Sequence, residues 1–286
     1  RANIVFTLVE VAGLVALVIV GMRAPSFGQV FMTPPHLGVL GGTALIFFAY
    51  LGFEEIANLA EEARQPARDL PRAIMLAVAI STVLYILVAA ASVTLLEPAK
   101  LAASPSPLAE AMYAGAPAFA GALAGVALFA TANTALITMM ASSRLLFAMA
   151  RGGHAPAKLS QTLARRKTPA FAILFIGVGS LACLSIGSVG LAGSVASLLA
   201  LVTFGSVNAA LVRLRFTHPD LPRPFRVPLC LGRVPVPIIL GLVVVLILVA
   251  GFELPVYGIT GILLLLALVV QAIPWRRPTV SGDAQP

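Results

Sequence analysis

The sequence predicts an all-α integral membrane protein of about eight transmembrane helices, and three observations carry that expectation. Of its 286 residues 59% are hydrophobic and 10% charged, whereas soluble domains carry about 25% charged residues. Eight apolar segments approach or exceed the ~20 helical residues that cross a hydrocarbon core. Of the 19 Lys and Arg residues, all but Arg23 and Lys100 fall in alternate connections, the asymmetry of the positive-inside rule. The net charge of +8 therefore records membrane topology, and no nucleic-acid partner is expected.

The spans are placed at residues 4–22, 37–59, 73–95, 119–149, 171–187, 191–214, 234–251 and 256–273. The fourth is too long for a simple crossing, so its last turns are expected to project into the cytoplasm. Lys and Arg counts put both ends of the chain on the cytoplasmic side of the cell membrane, in a multi-pass arrangement. Residues 1–275 read as a single transmembrane domain and residues 276–286 as a short cytoplasmic tail. Cys183 and Cys230 offer neither a disulfide framework nor metal-ligand spacing. The chain begins at Arg1, without methionine or a cleavable signal peptide, as a fragment or processed product would.

In the first span Asn3, Thr7 and Glu10 are four and three residues apart and share a helix face. Two readings of Glu10 stay open: a titratable group beside a coupling-ion site, or a helix-end carboxylate reaching water or a neighbouring helix. The second span carries the most informative pattern. Gly52 precedes Glu54 and Glu55 in mid-helix, and an ionised carboxylate at bilayer depth costs roughly 2.5–3.5 kcal/mol. Such residues face a cavity, a partner or a permeation path. A glycine there weakens the helix, and a break frees backbone carbonyls and amides for polar ligands near the midplane. Adjacent helical residues point about 100° apart, so Glu54 and Glu55 cannot face the same neighbour unless the helix is interrupted; of the two, Glu54 is taken as the better candidate. Phe48, Tyr50 and Phe53 surround the glycine, either closing over a substrate or packing between helices.

The third span follows a proline-marked loop. The fourth bears Thr131, Thr134, Thr138 and Ser142 in a continuous hydroxyl stripe, which either bonds back to its own helix or lines a path and supplies oxygens to Na⁺. Asn133 there, and Asn208 in the sixth span, suit interhelical hydrogen bonds. Arg144 and Arg151 close the fourth span, where cations complement the helix dipole. His36, His154 and His218 fall in loops without partner spacing and receive no role.

No nucleophile–base pair or metal triad falls within the spans, so an enzyme is not expected. No phosphate-cradling glycine loop supports ATP-driven pumping, and no symmetric filter or charged ring supports a channel.

GFEEIANLAEEARQPARDLPRAI, from Gly52, resembles the sixth-helix signature of the amino acid–polyamine–organocation transporter superfamily. ANTALITMMASSRLLFAMARGGHAP, from Ala132, is similar to its eighth helix. VNAALVRLRFTHPDLPRPFRVP, from Val207, resembles the end of its tenth helix and the loop beyond. The resemblance implies helices five to twelve of a twelve-helix fold of the leucine-transporter type, in which helices one to five and six to ten form an inverted repeat. Helices one to four, with the glycine-rich first helix, are expected to be missing from this chain.

It further implies an unwound segment at Phe48 to Glu54, in which the backbone of Ala49, Tyr50, Leu51 and Gly52, flanked by Phe53, receives the substrate ammonium and Phe48 covers it. Glu54 matches a glutamate linked to proton coupling. Glu10 stands where several proton-coupled relatives carry lysine, so their lysine mechanism does not transfer. Thr131 and Thr134 lie near the eighth-helix side of the ion site of sodium-coupled relatives. The implied function is secondary active transport of amino acids or related amines. It calls for no cofactor beyond a coupling ion, H⁺ with Na⁺ as the alternative. The competing reading is a non-transporting membrane partner subunit or an inactive fragment.

Overall fold

The computed structural model describes residues 2–32, 39–54, 56, 63–163, 168–183, 188–223, 225, 227, 229–232 and 234–273. In chain order the elements are α1 (Ala2–Met22), a 3₁₀ helix (Phe27–Met32), α2 (Val39–Ile46) with a 3₁₀ continuation (Phe47–Tyr50), α3 (Pro66–Leu95), α4 (Pro98–Ala103), α5 (Pro107–Gly115) and α6 (Pro117–Arg151). A 3₁₀ helix (Ala157–Ser160), α7 (Ala170–Cys183), α8 (Val189–Thr217), the strand pair β1 (Cys230–Leu231) and β2 (Val234–Pro235), α9 (Val236–Val249) and α10 (Leu254–Ala272) follow.

Five of these, α1, α3, α6, α8 and α10, are long and apolar enough to cross a bilayer, and three shorter apolar helices accompany them. Each of the eight expected segments thus contains a helix among the described residues. In the most apolar stretches of α3 and α6 only 6% of residues are buried within the protein. Side chains such as Leu76, Leu128 and Leu266 point outward, an inversion of the soluble pattern that requires an apolar surround.

Two boundaries differ from expectation. The third helix starts at Pro66 rather than at residue 73, because proline suits the first helical position and Asp69 in the first turn complements the dipole. The Arg68 and Asp69 amides both donate to the Gln65 carbonyl, starting the helix inside the charged loop. Pro71 is carried within it at the loss of one backbone bond. The second span, expected to continue to residue 59, leaves the α-helix at Ile46. The short strand pair, also outside the all-helical expectation, turns at Gly232 with φ +62° and leads directly into α9, whose first turn carries proline.

Two compact units are distinguished. The first comprises residues 1–36 and 72–138, with a core of Leu17, Ala111, Met112 and Leu123. Helices α1 and α3 approach so closely that a Cβ on Gly21 would lie 2.7 Å from the Cα of Ala91. Small residues permit such backbone proximity between membrane helices. Gly21→Leu is accordingly expected to destabilise the protein by ~1–3 kcal/mol through overpacking. Thermal unfolding in detergent measures it, and an unchanged midpoint would contradict the close crossing.

The second unit comprises residues 37–71 and 139–286. Helix α8 is its axis, packed against α2, α9 and α10, with Val195, Leu198 and Val256 at the centre. Ser188 caps α8 by accepting from the Leu191 amide at 3.2 Å. At the other end the Arg223 guanidinium donates to the carbonyls of His218 and Pro219, each at 2.8 Å, satisfying groups that a helix terminus exposes. The Tyr257 hydroxyl donates to the Val249 carbonyl, tying α10 to the end of α9.

Candidate functional site

The interruption of the second span is built by the backbone. Past Ile46 the chain tightens into the 3₁₀ turn Phe47–Tyr50, and Leu51 leaves it extended, at φ −65° and ψ 142°, its amide donating to the Phe48 carbonyl. Gly52 follows with φ +118°, a conformation that L side chains rarely adopt. A Cβ there would meet nothing within 4 Å. Glycine is therefore required by the dihedral and not by lack of space.

The Gly52 amide, released from the helix ladder, donates to Oε2 of Glu54 at 2.8 Å. The half-buried carboxylate thus holds the break from two residues downstream, a hydrogen bond of the stronger, charge-assisted kind when ionised. Glu55 lies outside the described residues.

Aromatic packing seats this segment on α8. The ring of Phe204 stands 6.2 Å from Phe47, edge-on, and 5.4 Å from Phe53, tilted by 31°. Gly193, eleven residues before Phe204 and so three turns away on the same α8 face, leaves room for Leu45 and Phe48: a Cβ there would lie 3.6 and 3.8 Å from them. Phe48 itself remains 52% exposed, more open than either anchored ring. The sequence-proposed residues Phe48, Ala49, Tyr50, Leu51, Gly52, Phe53 and Glu54 form one continuous irregular segment, with Tyr50, Leu51 and Phe53 half-buried. Gly193 and Phe204 were missed. Their signal was small residue and aromatic at a three-turn interval, legible only once the facing segment is known.

Glu10, Thr131 and Thr134 belong to the first unit. One turn before Glu10, Phe6 meets Phe129 of α6 edge-on at 4.7 Å. One turn after it, Gly13 sits against Leu123 and Val126. Glu10 is thereby held on the face of α1 that packs on α6. Its Oε1 is buried without a hydrogen-bond partner among the described residues, where an unmade bond costs about 1–3 kcal/mol. Thr131 donates back to the Ala127 carbonyl at 2.8 Å, and both Thr131 and Thr134 are exposed. The Thr131 hydroxyl thus makes the within-helix bond, one of the two uses open to the stripe.

Apolar helices with outward-facing side chains, one of them broken at a glycine and clasped by its own glutamate, define a polytopic membrane protein with an irregular polar segment inside a span. Residues 2–274 match the amino acid permease family, and the chain belongs to that family, within the amino acid–polyamine–organocation superfamily and among permeases rather than enzymes. It is 30% identical to the branched-chain amino acid permease BcaP of Bacillus subtilis over 97% of this chain and 59% of that protein. It is 31% identical to the methylthioribose transporter of Bacillus subtilis over 80% of this chain and 50% of that protein. Against the b(0,+)-type amino acid transporter 1 of Rattus norvegicus the identity is 33%, over 74% and 43% of the respective chains. The chain thus spans about half the length of these relatives.

Proposed function

We propose that the protein is a secondary active transporter that moves amino acids or related amines across the cytoplasmic membrane by alternating access, coupled to protons or as an exchanger. The observation that carries this reading is the helix break at Gly52. Interrupted spans supply unpaired backbone groups to polar substrates where the bilayer offers none. In this reading the segment Phe48–Phe53 receives the substrate, with Phe48, the most exposed of its rings, covering it. The names of the relatives support amino acids as the substrate class, and both ends of the chain are cytoplasmic by the positive-inside rule.

Proton coupling is assigned to Glu10 and Glu54, with Na⁺ at Thr131 and Thr134 as the alternative. Glu10 offers the better-defined starting point, because its buried Oε1 has no hydrogen-bond partner among the described residues. Glu10→Gln keeps the shape and removes the proton. It is expected to lower pH-driven accumulation to a ratio of about one while leaving substrate exchange, which needs no net coupling, in place.

The deciding experiment is uptake of radiolabelled leucine by the protein in proteoliposomes. An imposed pH gradient, inside alkaline, should drive accumulation that is indifferent to replacing Na⁺ by choline. Loss of uptake in choline transfers the coupling to sodium. Uptake that requires internal amino acid and ignores both gradients identifies an exchanger, and vesicles no more permeable than protein-free ones sink the transport reading altogether.

A further inference from the structure

On the face of α8 that seats the interrupted span, one buried polar group makes no bond. Ser197 stands four residues after Gly193 and seven before Phe204, within about 40° of both around the helix axis. Gly193 lies against Leu45 and Phe48, and Phe204 meets Phe47 and Phe53. Ser197 is thereby bracketed at the level of the 3₁₀ turn and the break beyond it, and α8 contacts both α2 and that turn. Val195 and Leu198, which join Val256 of α10 in the core, point about 160° and 100° away from it.

Ser197 is fully enclosed, at 0% exposure, and its Oγ has no hydrogen-bond partner among the described residues. Other hydroxyls of these two elements bond back to their own helix. Thr203 donates to the Leu199 carbonyl at 2.9 Å, Ser206 to Val202 at 2.7 Å, and Thr43 of α2 to Val39 at 2.7 Å. The Gly193 carbonyl stands in the same relation to Ser197, yet the hydroxyl does not take it. An unmade bond in an enclosed, largely apolar setting is unfavourable, and a rearrangement that brings an acceptor to Ser197 removes that cost. The facing element is the one built to rearrange. Leu51 leaves the helix extended and Gly52 follows at φ +118°, which turns the carbonyls of this stretch out of the helical direction. Gly193, one turn away, keeps the crossing close.

We propose that Ser197 is a positioning residue of the interrupted segment: its hydroxyl donates to a backbone carbonyl between Phe47 and Gly52 once that segment shifts, and so favours the shifted conformation over this one. The bias amounts to a factor of about 5 to 150, the range that a buried hydrogen bond made in one state and unmade in the other spans. It governs how readily the segment moves without any contact to substrate. Its part in turnover rests on the proposed transport function; the hydrogen bond itself does not.

Hydrogen–deuterium exchange and leucine exchange by the full protein in lipid vesicles test it. The Leu51 and Gly52 amides are bonded in this conformation, to the Phe48 carbonyl and to Glu54, and meet solvent when the segment shifts. Ser197→Ala is expected to slow their deuterium uptake by about 5- to 150-fold. The maximal rate of leucine exchange should fall by a similar factor, with KM changed by less than about twofold. The unfolding midpoint should stay or rise, because no bond is lost from this conformation. Ser197→Thr keeps the hydroxyl and should keep the faster deuterium uptake, whereas Ser197→Cys, close in size but a weak donor, should follow alanine. Unaltered deuterium uptake in Ser197→Ala overturns the proposal. So does faster uptake with a lowered midpoint, which would show the hydroxyl already bonded in this conformation. Vesicles of the unaltered protein that exchange no leucine sink the transport reading alone, and deuterium uptake still decides the role of Ser197.

Discussion

Replacing Gly52 by alanine is expected to weaken substrate binding and slow uptake by about 5- to 150-fold, the factor that corresponds to ~1–3 kcal/mol of backbone strain. The methyl group itself is harmless, since nothing lies within 4 Å of where it would stand. The cost comes from φ +118°, which alanine avoids by drawing the segment back toward a regular helix and so closing the gap that frees the backbone. Gly42 supplies the control. It lies in regular α2 with equally open space around its Cβ position, and Gly42→Ala is expected to be neutral or to stabilise by up to ~1 kcal/mol through helix propensity. Binding measured by scintillation proximity, alongside leucine uptake, separates the two. A Gly52→Ala protein with unaltered affinity would show that the break is not the binding element.

Glu54 is tested by two substitutions whose outcomes differ. Glu54→Ala removes the acceptor for the Gly52 amide and should lose the ~1.5–3 kcal/mol of a charged hydrogen bond, with affinity falling by roughly 10- to 150-fold. Glu54→Gln presents a carbonyl oxygen at the same reach, so the clasp survives in weakened form and affinity should fall by less than about tenfold. If Glu54 also carries the coupled proton, the glutamine protein binds substrate yet no longer accumulates it against a pH gradient. Retained accumulation in Glu54→Gln, together with lost affinity in Glu54→Ala, would assign Glu54 to holding the break and leave proton coupling to Glu10. The pair therefore distinguishes a glutamate that shapes the site from one that titrates in it.

The eight apolar helices were legible because hydrophobic length is a property of each segment alone. The glycine of the break was legible for a similar reason, as few other residues tolerate its backbone angle, and a pair of carboxylates in a span marks the place. The start of α3 was misplaced by seven residues because two prolines and three charges resemble a loop, although proline at the first turn and an early aspartate are compatible with a helix. Thr131 illustrates a different limit. Its spacing with Thr134 is visible in sequence, but whether a hydroxyl turns to its own helix or outward depends on its rotamer.

Sequence alone settled the membrane class, the number of apolar helices and the position of the interrupted one, since each follows from composition and local backbone preference. Tertiary structure decided what holds that interruption: the turn of Glu54 onto the Gly52 amide, the seating of Phe47 and Phe53 on Phe204, and the space at Gly193 beside Phe48. It also decided that Glu10 is enclosed by the packing of Phe6 and Gly13 on α6, leaving one carboxylate oxygen without a partner among the described residues. These contacts join side chains far apart in sequence or depend on a rotamer, and neither periodicity nor spacing encodes them; they exist only once the helices pack.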